Sequence, residues 1–219
     1  MSIDAGIVSG LDVYSSTDTT VTTRTVDTST GATDQPVNET VTTTTEHEFG
    51  HFRGGRQKVA SATVNELASV ARIKYTGVPG LELAGSVFYQ NDLVQNEDYA
   101  HSGLLTSFHA VYKQDTGFGF RALYAQWDVE GDDVPDDAEK QSGFYIEPSY
   151  KWNIENTPYS VGVYARYSDL EYYKKEGVDK TFTEYGISFY PAKRVVFKAD
   201  LVAEKDGDDT INLGVGYQF

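Results

Sequence analysis

The carboxyl-terminal segment 210–219 alternates apolar residues with small or polar residues without interruption. The apolar set comprises Ile211, Leu213, Val215, Tyr217 and Phe219, and the other set comprises Asn212, Gly214, Gly216 and Gln218. Because successive side chains of a β-strand point to opposite faces, this pattern predicts a strand with one apolar and one polar face. Such a strand needs an apolar environment on one side only.

The same alternation recurs along most of the chain. It is found in segments 3–13, 68–77, 81–91, 104–114, 123–129, 144–152, 161–168, 184–190 and 195–204. Together with the last segment this gives about ten strands, each near the 9–11 residues that a tilted membrane strand requires. A soluble β-sandwich is the alternative, but it does not require so regular a series of strands of this length.

The connections between these segments also alternate in kind. Short connections are expected at 77–80, 115–117, 153–158 and 191–193, and longer acidic ones at 95–102, 130–141, 174–180 and 205–209. Short turns at one end and longer loops at the other are typical of outer-membrane barrels. The sequence therefore predicts an all-β fold: a single domain over 1–219 that forms a closed, antiparallel, up-and-down transmembrane β-barrel of about ten strands.

Composition excludes several other classes of protein. A net charge of -15 argues against a nucleic-acid partner, because phosphate repulsion would not be offset. No apolar run approaches the roughly 20 residues of a membrane helix. The mean hydropathy of -0.44 does not argue against a barrel, whose lipid face uses only every second residue. No signal peptide follows Met1, so we expect a mature or engineered chain.

Residues 14–66 interrupt the series of strands. A Thr-rich tract runs from Thr17 to Thr45 and is broken by Gly31 and by the Asp34-Gln35-Pro36 turn. Thr-Val-Thr alternation on both sides of this turn favours a hairpin that stands above the membrane on the extracellular side. A disordered polar loop is the alternative interpretation of this composition.

The sequence His47-Glu48-Phe49-Gly50-His51 matches the H-E-x-x-H motif of zinc peptidases. That chemistry requires a helix, which places both histidines on one zinc-binding face. Here Thr42 to Thr45 and Gly54-Gly55 are poor helix formers, and Gln57 stands where the third ligand would be. We therefore expect no enzyme, no cofactor and no metal site, with His47 and His51 as a weak alternative.

Several cations are candidates for lining a lumen. Arg53, Arg56 and Lys58 form a basic island that either folds over a pore mouth or ends a solvated strand. Charges are costly at a lipid face, so the strand cations and their acidic neighbours are expected to point inward. The predicted pore-lining set is Arg53, Arg56, Lys58, Arg72, Lys74, Lys113, Tyr124, Arg166 and Lys198. The sequence leaves open whether these charges form salt bridges that fill the lumen or line a water path with weak anion preference.

Three segments also carry a family resemblance. They are Gly55 to Ala60, Leu67 to Leu83 with its Tyr75-Thr76-Gly77-Val78-Pro79-Gly80-Leu81-Glu82-Leu83 motif, and Ser86 to Gln90. These segments resemble the carboxy-terminal half of proteobacterial porins of the phosphate-selective or general type. The resemblance implies a bacterial outer-membrane barrel that passes small solutes passively. Family members form larger, commonly trimeric barrels, so this chain is either a complete smaller barrel or part of a larger one.

A final strand that ends on an aromatic residue is typical of outer-membrane barrels, where the assembly machinery recognises it. We therefore expect outer-membrane lipid, small solutes or ions, and the barrel-assembly machinery through Phe219 as partners. Eight strands leave a lumen that side chains fill, whereas sixteen leave an aqueous channel. About ten strands predict a narrow or occluded pore for ion and solute transport. The alternative is a structural or surface-interaction barrel without a pore.

Overall fold

The computed structural model describes residues 1–25, 38–49, 52–57, 62, 65–95, 101–131, 134–174 and 176–218. Within these ranges the protein consists of strands and one four-residue helix. The first five strands are β1 (Ser2–Ser9), β2 (Tyr14–Thr25), β3 (Asn38–Phe49), β4 (Leu67–Tyr75) and β5 (Leu81–Gln90). They are followed by β6 (Ser102–Lys113), β7 (Phe118–Glu130), α1 (Asp136–Glu139), β8 (Lys140–Asn153), β9 (Ser160–Tyr173), β10 (Gly177–Ala192), β11 (Val195–Glu204) and β12 (Thr210–Tyr217).

Ten of the strands form one antiparallel sheet in the order β1-β4-β5-β6-β7-β8-β9-β10-β11-β12. Each strand pairs with the next in the chain, apart from the excursion through β2 and β3. The predicted all-β, up-and-down arrangement of about ten antiparallel strands is therefore confirmed. The pairing of β1 with β12 that closure requires is not formed, so these two strands are the edges of the sheet.

The excursion forms a separate two-stranded sheet. β2 and β3 pair antiparallel over their full length, from Tyr14 opposite Phe49 to Thr25 opposite Asn38. This pairing corresponds to the hairpin that Thr-Val-Thr alternation favours. The predicted turn at Asp34-Gln35-Pro36 lies outside the described residues.

The register divides the ten-stranded sheet into two faces. One row on the first face runs Leu213, Ala199, Ile187 and Val163 across β12 to β9, and apolar side chains occupy most of this surface. We call it the apolar face. The row beside it runs Asn212, Asp200, Gly186 and Tyr164, and we call that surface the polar face. Members of the apolar face are largely exposed, with Leu213 82% accessible.

The two ends of the sheet differ in their connections. The turn end carries 76–80, 114–117, 154–159 and 193–194. Gly80 and Gly117 there adopt positive φ angles of 79° and 100°, and their carbonyls accept hydrogen bonds from the amides of Lys113 and Lys151 at 2.8 and 2.9 Å. Only glycine adopts such backbone without strain, so these turns are fixed against the neighbouring strand.

The opposite end, which we call the loop end, is where β1, β5, β7, β9 and β11 finish and where β4, β6, β8, β10 and β12 begin. The predicted long loop at 174–180 is wrong, because β10 begins at Gly177 and continues the pairing with β9. The hydroxyl of Thr181 donates to the Asp169 carboxylate at 3.1 Å, which supports this extension of both strands beyond the apolar rows.

Candidate functional site on the polar face

The polar face curves around a space that several strands share. Side chains from β6 through β11 line one cavity on this face, which requires the sheet to bend towards it. Most of the charges on the strands lie here, whereas the middle of the apolar face carries none. The candidate site is therefore this concave surface together with the loop end that covers part of it.

One charge cluster surrounds Glu82 near the turn end. Its carboxylate lies 3.9 Å from the Arg72 guanidinium, 3.9 Å from the Lys74 ammonium and 3.1 Å from Nε2 of His109. The strand pairing brings β4, β5 and β6 together in this order, so Arg72, Lys74 and His109 reach the acid from both sides. The side chains remain a quarter to a half exposed, so water screens these pairs.

A second cluster is centred on Glu147, which is only 5% exposed. Arg121 Nη1 lies 3.4 Å from one carboxylate oxygen, and Arg166 Nε donates to the other at 3.0 Å. Arg166 also donates from Nη1 to Glu184 at 3.0 Å, and its guanidinium lies 4.9 Å from the centre of the Tyr145 ring. The Tyr164 hydroxyl completes the chain by donating to Glu184 at 3.3 Å. A buried acid shared by two arginines fixes the middle of the polar face across four strands.

Two predicted cations on this face make no ion pair within the described part of the chain. They are Lys113, which lies opposite Gly119, and Lys198, which lies opposite Ser188 and Gly214. Lys151 differs from them because its ammonium sits 3.8 Å from the centre of the Tyr190 ring. Lys113 and Lys198 therefore remain available to interact with mobile anions.

A small apolar core closes part of the loop end. Val13, Phe49, Leu93, Val129, Val134, Ala138 and Tyr173 form this loop-end core. It joins residues from β3, β7, β9, α1 and three loops. The rest of the sheet has little buried apolar surface, so packing of the loops is concentrated here.

Two glutamines tie the loops to the sheet beside this core. Gln90 is fully buried; its amide oxygen accepts from the Leu11 amide at 2.7 Å and its nitrogen donates to the Leu11 carbonyl at 2.8 Å. Gln95 accepts at 2.8 Å from both the Asn65 and Glu66 amides. These bonds satisfy backbone groups of irregular, partly buried loops.

A carboxyl pair lies at the same end. Burial, followed by the charge of Asp92, raises the pKa of Asp12 above its ordinary value of 3.8. The backbone amide of Asp12 donates to the Gly55 carbonyl at 2.9 Å, so this acid is held beside the turn at 52–55. At neutral pH, repulsion between these two nearby carboxylates destabilises the loop end.

Segment 52–57 folds back over the polar face. The Phe52 ring stacks on Trp127 with centroids 4.2 Å apart and planes 7° apart, and Trp127 meets Phe88 edge-on at 5.6 Å. Arg53 lines the cavity on this face. Arg56 is exposed, and its Nε donates to the Arg53 carbonyl at 3.5 Å. Of the basic island, Arg53 therefore reaches the polar face, whereas Lys58 lies outside the described residues.

The register places the predicted pore-lining residues that belong to strands on the polar face, with the exception of Tyr124. Arg72, Lys74, Lys113, Arg166 and Lys198 all lie there. The prediction that Tyr124 points inward is wrong, because Tyr124 pairs with Phe108 and Phe144 on the apolar face. Asp128, also expected inward, shares that face and lies opposite Lys140 at the loop end.

The H-E-x-x-H segment does not lie on a helix. His47 and Glu48 belong to strand β3, opposite Ser16 and Ser15, and His51 lies outside the described residues. The motif loses its zinc geometry on a strand, since it depends on helical spacing of i and i+4. Among the described residues, no group of three or more His, Asp or Glu side chains is placed to hold a metal ion.

Three important residues were missed by sequence reasoning. Arg121 shares Glu147, Trp127 receives Phe52, and Gln90 anchors the loop end. For Arg121 a signal was present. Once the odd-numbered residues of β7 are placed on the polar face, Arg121 points to the same side as the charges predicted to face inward. For Gln90 no local pattern indicates a partner 79 residues away.

Comparison with known protein families found none that matches this chain, and a search of curated proteins found no similar protein. Across the described ranges, no helix has the length and apolar character needed to span a membrane.

Proposed function

We propose that this protein is a porin-like β-barrel of the bacterial outer membrane that passes small solutes passively through a narrow or occluded lumen. The observation that carries this proposal is the separation of the sheet into an exposed apolar face and a concave charged face. An exposed apolar surface this extensive marks contact with a membrane or partner. Lipid on that side and water on the other is the arrangement of transmembrane barrels.

Closure of the sheet belongs to the same proposal. In lipid every backbone donor and acceptor needs a partner, so an edge cannot remain open there. β1 and β12 run antiparallel to each other, because the ten strands of the sheet alternate in direction and these two are the first and the last. We infer that β1 pairs with β12 in the membrane, which puts Ile7 and Leu213 on a continuous lipid-facing surface.

The narrowness of the lumen follows from strand number and from what already occupies it. Eight strands are filled by side chains and sixteen leave a channel, so ten strands lie near the filled end. The Glu147 cluster crosses the polar face at mid-height, and the loop-end core and segment 52–57 cover one end. Small solutes would pass beside Lys113 and Lys198, with weak anion preference at most.

Planar-bilayer recording of the refolded protein tests this proposal. We expect no steps, or small steps well below those of a sixteen-stranded porin in the same membrane. Phe52→Ala should increase the conductance because segment 52–57 loses its stack on Trp127. Phe108→Ala is the matched control, since this ring lies on the apolar face and should leave conductance unchanged. Large, stable steps from the unmodified protein would contradict the narrow lumen.

A structural or surface-interaction barrel is the second candidate, and the β2–β3 ribbon favours it. Two twelve-residue strands extend as a sheet separate from the ten-stranded one. If the unmodified protein and Phe52→Ala both insert but stay silent, this candidate is preferred. Replacing residues 15–48 with a short linker should then abolish binding to surfaces while leaving heat-modifiable gel mobility intact.

A further inference from the structure

The polar face holds a cavity of about 1040 Å³ between β6–β11 and segment 52–57. This volume is at the upper end of what small-molecule sites occupy in proteins. Its lining strands are internal to the sheet, so the cavity does not depend on how the edges β1 and β12 are completed.

The walls of the cavity are mostly apolar and aromatic. The Phe52–Trp127 stack forms one side, and Tyr145 and Phe182 are contributed by β8 and β10. Leu105, Leu123, Leu170 and Val202 add aliphatic surface to the wall. An apolar wall inside a charged face is unexpected for a simple water path, which would be lined by polar groups throughout. Aromatic rings at this density favour a flat apolar ligand.

Positive charges outnumber negative ones at the cavity once the salt bridges within the protein are taken into account. Lys180 forms a salt bridge with Glu204, and Glu184 is held by Arg166. Arg53 and Lys174 remain, facing only the Glu171 carboxylate among the lining acids. Neither of these two cations makes an ion pair among the described residues. The surplus of positive charge selects an anionic group on the ligand.

We propose that this cavity is a binding site for a small aromatic carboxylate. The ring lies against Phe52 and Trp127, and the carboxylate meets the guanidinium of Arg53. Such a site makes passage through the lumen saturable for this class of solute, which goes beyond passive diffusion. It also gives segment 52–57 a second role, since the same segment supplies both the aromatic contact and the cation.

Fluorescence of Trp127 provides the test, because the chain contains two tryptophans and the other, Trp152, lies on the apolar face opposite Val161. The Trp152→Phe protein in detergent is titrated with 2-naphthoate, which accepts energy from tryptophan. We expect a saturable transfer signal from Trp127. Neutral 2-naphthamide should bind at least about tenfold more weakly, because it cannot form the charge-assisted bond.

Matched variants separate a built site from partition into the micelle. Arg53→Gln should weaken 2-naphthoate binding about tenfold, whereas Arg56→Gln, whose side chain does not line the cavity, should leave it unchanged. The Trp127→Phe protein, which keeps Trp152, should show only a non-saturable signal. Equal binding of the acid and the amide, equal effects of both arginine variants, or absence of saturation would each overturn the proposal. If 2-naphthoate does not bind, the bilayer recording still tests passive diffusion. If the protein shows no conductance, binding of 2-naphthoate can still be measured in detergent.

Discussion

The assignment of the apolar face to lipid is tested by placing a charge on it at Leu213. This residue lies in the middle of β12, pairs with Ala199 and is 82% exposed. Because this side chain is so exposed, a lysine there disturbs little side-chain packing, so the change in the free energy of unfolding reports whether lipid or water surrounds it. Lysine at mid-bilayer on a barrel's lipid face costs about 2–4 kcal/mol. Leu213→Lys should lower the free energy of unfolding by that amount in lipid vesicles.

The neighbouring residue Asn212 gives the matched control. It lies on the polar face and donates to the Asp200 carboxylate at 2.8 Å, so a lysine there keeps an acidic partner. Asn212→Lys should change the free energy by less than about 1 kcal/mol. Reversible urea unfolding in vesicles, followed by tryptophan fluorescence and heat-modifiable gel mobility, measures both variants. Equal effects at the two positions, or a larger loss at Asn212, would refute the assignment of the faces.

Three further predictions concern the polar face and the loop end. Glu147→Gln should destabilise the protein by about 1–3 kcal/mol, since two arginines lose a buried carboxylate. Glu82→Gln should cost less than Glu147→Gln because water screens the ion pairs of Glu82; urea midpoints that rank the two variants in reverse would contradict the buried network. Asp12→Asn should raise the gel-melting temperature at pH 7. The raised pKa of Asp12 means that the folded protein binds its proton more tightly, so stability falls as pH rises through and above 3.8, and the gain should vanish below about pH 3.8. A gain of equal size at low pH would exclude the carboxyl as its cause. Trp127→Ala should increase conductance as Phe52→Ala does, since either change removes the stack; an increase from only one of them would show that the ring contact does not hold segment 52–57.

Strand number and most of the face assignment could be predicted from alternation alone. In β12 every second residue is apolar, so Leu213 and its neighbours have only one possible orientation once one face meets lipid. β7 was different, because Leu123, Ala125 and Trp127 are apolar yet lie on the polar face, where they line the cavity. Apolar residues on both sides remove the contrast that fixes the phase, and Tyr124 was assigned to the wrong face for that reason.

The loop end could not be predicted from sequence in the same way. Val13 and Leu93 meet in the loop-end core although they are far apart in the chain, and no periodicity marks either residue. The cavity likewise arises where Phe52 returns from the β2–β3 excursion to stack on Trp127. Contacts of this kind depend on where loops fold, which local patterns do not encode.

We hold that the apolar face of this sheet lies against lipid, and site-directed spin labelling along β11 can show whether it does. The chain contains no cysteine, so single cysteines can be introduced and labelled one at a time from Val195 to Glu204. In vesicles, collision of the label with oxygen should peak at Phe197, Ala199 and Leu201, and should fall at Lys198, Asp200 and Val202. Oxygen maxima at the second set, or a profile without a period of two, would contradict the claim.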